Sequence, residues 1–318
     1  MTEAYEFAYD NSPGQPDYRS DLAALLANEF PQVRLSHTTQ EFILSGLGEM
    51  GQKYDQRPYH DSYHPFEVLR RGFQWLEEFA RYKEVDLTQE DYEVLAISSA
   101  YHDIILISDD PAKSPERMSA ERTQALMYLL KYDGRQIDRV FNAVLATEVE
   151  YSGQQVLQTM AVKTEPDIVT AALLMADIGN VTYKDDSVIL QDITKVAAEE
   201  LYKIDKGFTQ LDADETAIEK VMSIFDKQDI FRDQRFSDLP KILERHLGEA
   251  ATKLFMSNHF EQLTVQRAVI DDLVERINTR RAHLIDEFLP IVTSKESSSK
   301  QKASALFEAA RTILSIRS

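Results

Sequence analysis

The chain has 318 residues, and its 35 basic and 54 acidic side chains give a formal net charge of −19. Such a charge repels nucleic acids and anionic lipids at long range, so neither is an expected partner. Without cysteine there are no disulfides and no thiolate metal sites, and no stretch approaches 18 uninterrupted apolar residues. We therefore expect a soluble, cytoplasmic and mostly helical protein.

Helical periodicity dominates the chain after a turn-rich leader at residues 1–18. From there apolar residues recur at spacings of three and four, and no segment shows sustained alternation typical of a strand. Thr88 is expected to cap the fourth helix, and Pro166 marks the start of the seventh. The predicted helices lie near 20–29, 39–53, 65–82, 89–107, 117–131, 135–149, 167–179, 190–206, 214–227, 238–257, 259–286 and 302–315.

The predicted fold class is therefore all-α, with one compact multi-helix domain at residues 19–292. Residues 293–318 are interpreted as a polar linker followed by a terminal amphipathic helix. The apolar stripe of this last helix can dock on the same chain or on a second copy, so a homo-oligomer stays open.

Two histidines stand four residues apart in the segment from Tyr59 to His64. On a helix, this spacing places the rings of His60 and His64 on one face, where they can converge on one site. Pro65 modifies this expectation, because the residue before a proline avoids the helical region and His64 then stands at a helix start.

Ionisable residues also interrupt two apolar helical stretches. His102 and Asp103 lie within the predicted helix 89–107, and Asp177 lies near the end of the predicted helix 167–179. Burying such groups is costly unless they are paired or bound to a metal, so a core ion pair is the alternative. With His64 they form a set of two imidazoles and two carboxylates, which suits Mn, Fe, Co, Ni, Zn or Mg with positions left open for water.

The order of these segments resembles the HD superfamily of metal-dependent phosphohydrolases, and in particular the catalytic domain of class I cyclic-nucleotide phosphodiesterases. That family has a YHxxxH element, an HD doublet in an apolar helix, an LATD stretch and a distal ADLSN. The corresponding segments here are Tyr59 to His64, His102-Asp103, Leu145 to Glu148 and Ala176 to Asn180. The resemblance spans about residues 54–182.

The resemblance implies an HD-domain, phosphodiesterase-like bundle and a role for each matching residue. His64, His102, Asp103 and Asp177 match the ligands of the family's first metal, and Asp103 would bridge to a second, mostly water-held one. His60 matches the general acid that protonates the leaving oxygen. The substrate-binding candidates are Tyr59, Asn180, Gln234 and Phe236, and Glu148 stands where the family has an aspartate beside the site.

The sequence thus predicts a metal-dependent phosphohydrolase acting on a small phosphorylated or nucleotide-like substrate, with a 3′,5′-cyclic nucleotide as one option. No histidine follows the His102-Asp103 doublet, where the family has one, so the residues leave the number of metal ions open. Two alternatives stay open: a single-metal nucleotidase or other phosphomonoesterase, and a non-catalytic helical binding protein with a degenerate HD core.

Overall fold

The computed structural model describes residues 17–54, 59–61, 63–108, 110–152, 155–157, 159–177 and 238–259, with the single residues 264, 268, 275, 290 and 294. Helices dominate this part of the chain, which confirms the all-α class. They are α1 (Tyr18–Asn28), α2 (His37–Tyr54), α3 (His64–Lys83), α4 (Gln89–Tyr101), α5 (Pro115–Leu129), α6 (Gly134–Ala146), α7 (Thr159–Lys163) and α8 (Ile168–Asp177). Residues 238–247 and 249–259 are also helical. The helices predicted near 190–206, 214–227 and 302–315 lie outside the described residues.

Local polar signals set the starts of the two helices that matter most for the site. The Thr88 hydroxyl accepts from the Asp91 amide at 3.2 Å, and the Asp91 carboxylate accepts from the Thr88 amide at 2.8 Å. This capping box confirms the predicted start of α4. Pro166 precedes α8, but the capping residue is Asp167, whose carboxylate accepts from the Val169 amide at 2.9 Å.

Helices α4 and α8 form the centre of the structure. Every residue from Val94 to Tyr101 in α4 is buried, and so is every residue from Val169 to Ala176 in α8. A helix that is apolar all round must be covered on all sides. Accordingly, α4 packs against α2, α3 and α6, whereas α8 packs against α3, α4 and α6.

Helix α4 is shorter than predicted, because it ends at Tyr101 rather than near residue 107. Beyond it, the backbone amide and carbonyl of Ile105 bond to the Ser119 hydroxyl of α5 instead of to helical partners. The apolar run misled the prediction because part of it packs as a loop, with Ile104 buried and Ile107 65% exposed.

A β-hairpin was also not predicted. Strands β1 (Glu150–Ser152) and β2 (Gln155–Leu157) pair antiparallel, with Glu150 opposite Leu157. Three residues per strand are too few to produce a recognisable alternation. They are the only strands among the described residues, so the all-α description stands.

The helical segment 238–259 completes the core on the side of α3. The Phe255 ring packs against Trp75 and Phe79, with both centroid distances at 5.6 Å. His246 is 1% exposed. Its Nδ1 accepts from the Asp167 amide at 3.2 Å, and its Nε2 donates to the Ala161 carbonyl of α7 at 2.6 Å. Across the described ranges, we find no helix with the length and apolar character needed to cross a lipid bilayer.

Candidate metal centre

Three helix ends meet at the residues that the sequence singled out. His64 is the first residue of α3, His102 caps the C-terminus of α4 and is followed by Asp103, and Asp177 is the last residue of α8. One donor atom from each of these four side chains lies within 4.8 Å of the other three. The fold therefore brings together residues that are more than a hundred positions apart in the chain.

The spacing of the donor atoms fits ligands around one ion. His102 Nε2 lies 3.3 Å from His64 Nε2, 3.0 Å from Asp103 Oδ2 and 3.4 Å from Asp177 Oδ1. His64 Nε2 lies 3.4 Å from Asp103 Oδ2 and 3.6 Å from Asp177 Oδ1. Ligand atoms about 2.1 Å from an ion are about 3.0 Å apart at 90° and about 3.4 Å apart at the tetrahedral angle. The residues present therefore fit a divalent cation.

The hydrogen bonds and ion pairs of these side chains suit a bound cation, and they also suit the core ion pair that the sequence left as an alternative. His102 Nδ1 donates to the Ser99 carbonyl at 2.9 Å, which leaves Nε2 facing the cluster. Asp103 Oδ2 is buried and makes no hydrogen bond to the described residues, although three histidine Nε2 atoms lie within 3.4 Å. Charged imidazoles satisfy this buried carboxylate in an ion pair, and a bound cation would satisfy it in their place.

The charges of the four side chains support one another. Burial opposes ionisation of His102, but the carboxylates of Asp103 and Asp177 raise its pKa well above the ordinary value. Burial would also raise the pKa of Asp103, yet His102 and His60 hold it well below the usual range. Because metal ligands must be deprotonated, ion binding here would release protons and depend on pH.

The centre has a closed side and an open side. The side chains of His64 and His102 are 3% and 1% exposed, whereas those of Asp103 and Asp177 keep 13% and 20%. His60 lies on the open side with 19% exposure, and its Nε2 is 3.3 Å from Asp103 Oδ2. Solvent therefore reaches the carboxylates and His60 more readily than the two buried imidazoles.

His60 and His64 do converge, although they do not share a helical face. Their ring centroids are 5.1 Å apart, but α3 begins at His64 and His60 precedes it. The segment before α3 is a turn, in which the Asp61 carboxylate accepts from the amides of Tyr63 and His64, each at 3.0 Å, and His64 stands at the helix start that Pro65 indicated. Pro65 then stands in the first turn of α3, where a proline is tolerated.

Tyr59, a predicted substrate-binding residue, contacts the ligands themselves. Its ring centroid lies 4.6 Å from that of His64, and its hydroxyl donates to the backbone carbonyl of Asp177 at 3.4 Å. These contacts hold His64 and the end of α8 in place, and the substrate role stays a prediction. The other three substrate-binding candidates, Asn180, Gln234 and Phe236, lie outside the described residues.

A second acidic pair borders the centre, and sequence reasoning missed one member of it. Burial first, and then the negative charges of Asp103, Glu148 and Asp177, raise the pKa of Glu116 to about 7. Glu148 thus contributes to the field at this carboxyl, and its predicted place beside the site stays a prediction. Glu116 stands in the first turn of α5, where an acid is ordinary, so the sequence gave no signal for it.

Comparison of the chain with models of known protein families and with curated proteins found no match. The interpretation of the centre therefore depends on its own residues and geometry. Within the described ranges this is the one group of histidine and acidic side chains with donor atoms close enough to hold a metal. Asp110, which follows the doublet in sequence, instead accepts from the Ala112 amide at 2.9 Å in a turn.

Proposed function

We propose that this protein is a metal-dependent phosphohydrolase that cleaves a phosphoester of a nucleotide-like substrate. The observation that carries the proposal is the cluster of His64, His102, Asp103 and Asp177, with a fifth side chain, His60, on its open side. In an octahedral site these two imidazoles and two carboxylates leave two coordination positions for water and substrate, unlike a closed tetrahedral structural zinc site. The resemblance of the motif order to HD phosphohydrolases supports the same class.

A divalent cation held by these four ligands would polarise a phosphoryl oxygen and acidify a water molecule for attack on phosphorus. It would also offset the repulsion between an anionic substrate and a chain of net charge −19. No described lysine or arginine makes an ion pair with the four ligands, so this compensation would depend on the cation.

His60 is the side chain to which we assign proton transfer. His60 is not one of the four clustered ligands, so its imidazole can donate a proton to the departing alkoxide. Asp103 Oδ2, at 3.3 Å from His60 Nε2, orients that ring.

The role assigned to His60 limits the substrate to esters whose leaving group is an alkoxide. Protonation of a leaving alkoxide is required for a diester, including a 3′,5′-cyclic nucleotide, and for an alkyl monoester. We infer a diester in first place because of the phosphodiesterase-like motif order. The absence of cysteine fits a reducing compartment such as the cytoplasm.

The test begins with metal content. Purified protein is analysed for bound metal, then stripped with EDTA and titrated with Mn²⁺ or Co²⁺. We expect about one high-affinity ion for the wild type and for His60→Ala, and none for Asp103→Ala. His37→Ala serves as the control because its imidazole is 86% exposed on α2. Wild-type protein that takes up no metal would leave only a helical binding protein.

The second step is activity with the loaded protein. Cyclic AMP, cyclic GMP and bis-p-nitrophenyl phosphate report diester cleavage, and mononucleotides with p-nitrophenyl phosphate report monoester cleavage. We expect diester hydrolysis that Asp103→Ala abolishes. His60→Ala should slow cleavage of the cyclic nucleotides, whose leaving group is an alkoxide, by about 10² to 10⁴. Phosphate release from monoesters alone would instead identify a phosphomonoesterase. Equal loss of metal in both variants would show that His60 is a ligand.

A further inference from the structure

The two central helices share a second meeting point, at the ends opposite the metal centre. Their C-termini deliver His102 with Asp103, from α4, and Asp177, from α8. Their N-termini meet at the guanidinium group of Arg139, which belongs to α6. Thus α4 and α8 run in the same direction between Arg139 and the cluster of donor atoms.

Arg139 binds both helix starts with most of its donor atoms. Its Nε and Nη2 donate to the two carboxylate oxygens of Asp167 at 2.7 and 3.1 Å. Nη2 also donates to Asp91 at 2.6 Å, and Nη1 donates to Glu90 at 2.8 Å. A planar fork that engages three carboxylates fixes direction as well as distance.

The bound aspartates are themselves fixed to the first turns of their helices. Asp91 forms the capping box of α4 with Thr88, and Asp167 caps α8 through the Val169 amide. A movement of either carboxylate therefore moves the helix start with it. Arg139 consequently fixes the separation and the axial register of α4 and α8.

Stability alone does not account for this arrangement. The side chains of Arg139, Asp91 and Asp167 are only 13 to 16% exposed. Apolar residues of similar volume often stabilise such a position as well as a buried ion network does. What the guanidinium group adds is a defined geometry between the two helix starts.

The lengths of the helices make that geometry matter at the metal centre. Helix α4 has 13 residues and α8 has 10, so they extend about 20 and 15 Å from their first turns. A change of about 3° in the angle between them displaces a donor atom at the far end by about 1 Å. Metal–ligand distances tolerate only about 0.2 Å.

We propose that Arg139 is a positioning residue for the metal centre: by clamping the starts of α4 and α8, it sets the separation of His102 and Asp103 from Asp177. This inference rests on the metal centre of the proposed function, but not on the reaction that the centre catalyses. Arg139 lies at the N-terminal ends of α4 and α8, whereas the clustered side chains lie at their C-terminal ends.

The test compares Arg139→Lys and Arg139→Met with the wild type. Lysine keeps the charge but loses the planar fork, and methionine keeps an unbranched side chain without charge. Each protein is stripped with EDTA and titrated with Co²⁺, and both its affinity and its visible absorption spectrum at saturation are recorded. Urea unfolding of the metal-free proteins gives their stabilities separately.

We expect Arg139→Met to weaken Co²⁺ binding by about 10- to 100-fold and to alter the saturated spectrum, with Arg139→Lys between it and the wild type. Arg122→Met controls for loss of a different ion pair, since Arg122 binds Glu49 across α5 and α2 at 2.7 Å. Leu25→Ala, in the core face of α1, controls for lower stability. Both controls should keep the wild-type spectrum.

Two results would overturn the proposal, and they are distinguishable. Normal affinity and a normal spectrum in both Arg139 variants, whatever their stability, would show that the clamp is only structural. A wild-type protein that binds no Co²⁺ would overturn the metal centre and this role together. Should Arg139→Met fail to fold, the conservative Arg139→Lys variant decides the question by the same measurements.

Discussion

Replacing Glu116 by glutamine tests whether the carboxyl group beside the metal centre is neutral in the folded protein. Burial and the nearby carboxylates raise the pKa of Glu116 from an ordinary value of 4.5 to about 7. Between these two pH values the folded protein holds a proton that the unfolded chain has released. The free energy of unfolding therefore falls as the pH rises through this window, because the native state binds more protons.

The size of the effect follows from the same two values. One pKa unit corresponds to about 1.4 kcal/mol, so the ionised Glu116 side chain costs the folded protein about 3 kcal/mol above pH 7. Glutamine has nearly the same shape and does not ionise. We therefore expect the stability of Glu116→Gln relative to the wild type to increase by about 3 kcal/mol between pH 4.5 and pH 8.

Urea unfolding in the presence of EDTA, measured at several pH values, gives this difference directly. Glu121→Gln is a matched control on the same helix, since Glu121 is 39% exposed and pairs with Lys113 at 2.6 Å. Its difference from the wild type should change by less than about 0.5 kcal/mol over the same range. A difference for Glu116→Gln that stays constant with pH would refute the reasoning.

Two further substitutions test the helix packing and the docking of segment 238–259. Gly46→Ala should lower the free energy of unfolding by about 1 to 2 kcal/mol, because the new Cβ would lie 2.8 Å from the buried Tyr101 ring. This cost outweighs the better helix propensity of alanine. Gly134→Ala is the control, since open space surrounds Gly134, and it should cause no such loss. Urea unfolding measures both. Burial lowers the pKa of His246, so the unfolded chain binds a proton there before the folded protein does, and the wild type loses stability as the pH falls below 6.5. In His246→Gln this loss should disappear. Thermal unfolding at pH 5 and pH 7.5 checks this, with the exposed His37→Gln as control, and an unchanged pH dependence would contradict it.

The sequence predicted most of the described helices because their signals are local. Thr88 with Asp91 is a capping pair only three residues apart, and α4 begins where that pair places it. The predicted end of α4 was wrong because the contact that sets it is not local. It depends on Ser119, which lies 14 residues beyond the Ile105 backbone that it binds, and no pattern within a helical window reports such a contact.

The four side chains of the candidate metal centre were predictable because they are polar residues associated with mainly apolar helices. Asp177 follows eight consecutive buried residues of α8, and a charge at that position requires a partner. Glu116 had no such contrast, since it follows Ser114 and Pro115 at an ordinary helix start. Its unusual pKa arises first from burial and then from carboxylates on other elements, and only the fold produces both.

The early end of α4 and the chemistry of the centre are linked through one carbonyl group. In a helix that continued to residue 107, the Asp103 amide would bond to the Ser99 carbonyl four residues back. Because the helix ends at Tyr101, that carbonyl is one of the free acceptors at a C-terminus and instead accepts from His102 Nδ1 at 2.9 Å. This hydrogen bond orients the ring so that Nε2 faces His64, Asp103 and Asp177. The early end of α4, which the apolar run concealed from the sequence prediction, thus also orients His102 within the candidate metal centre.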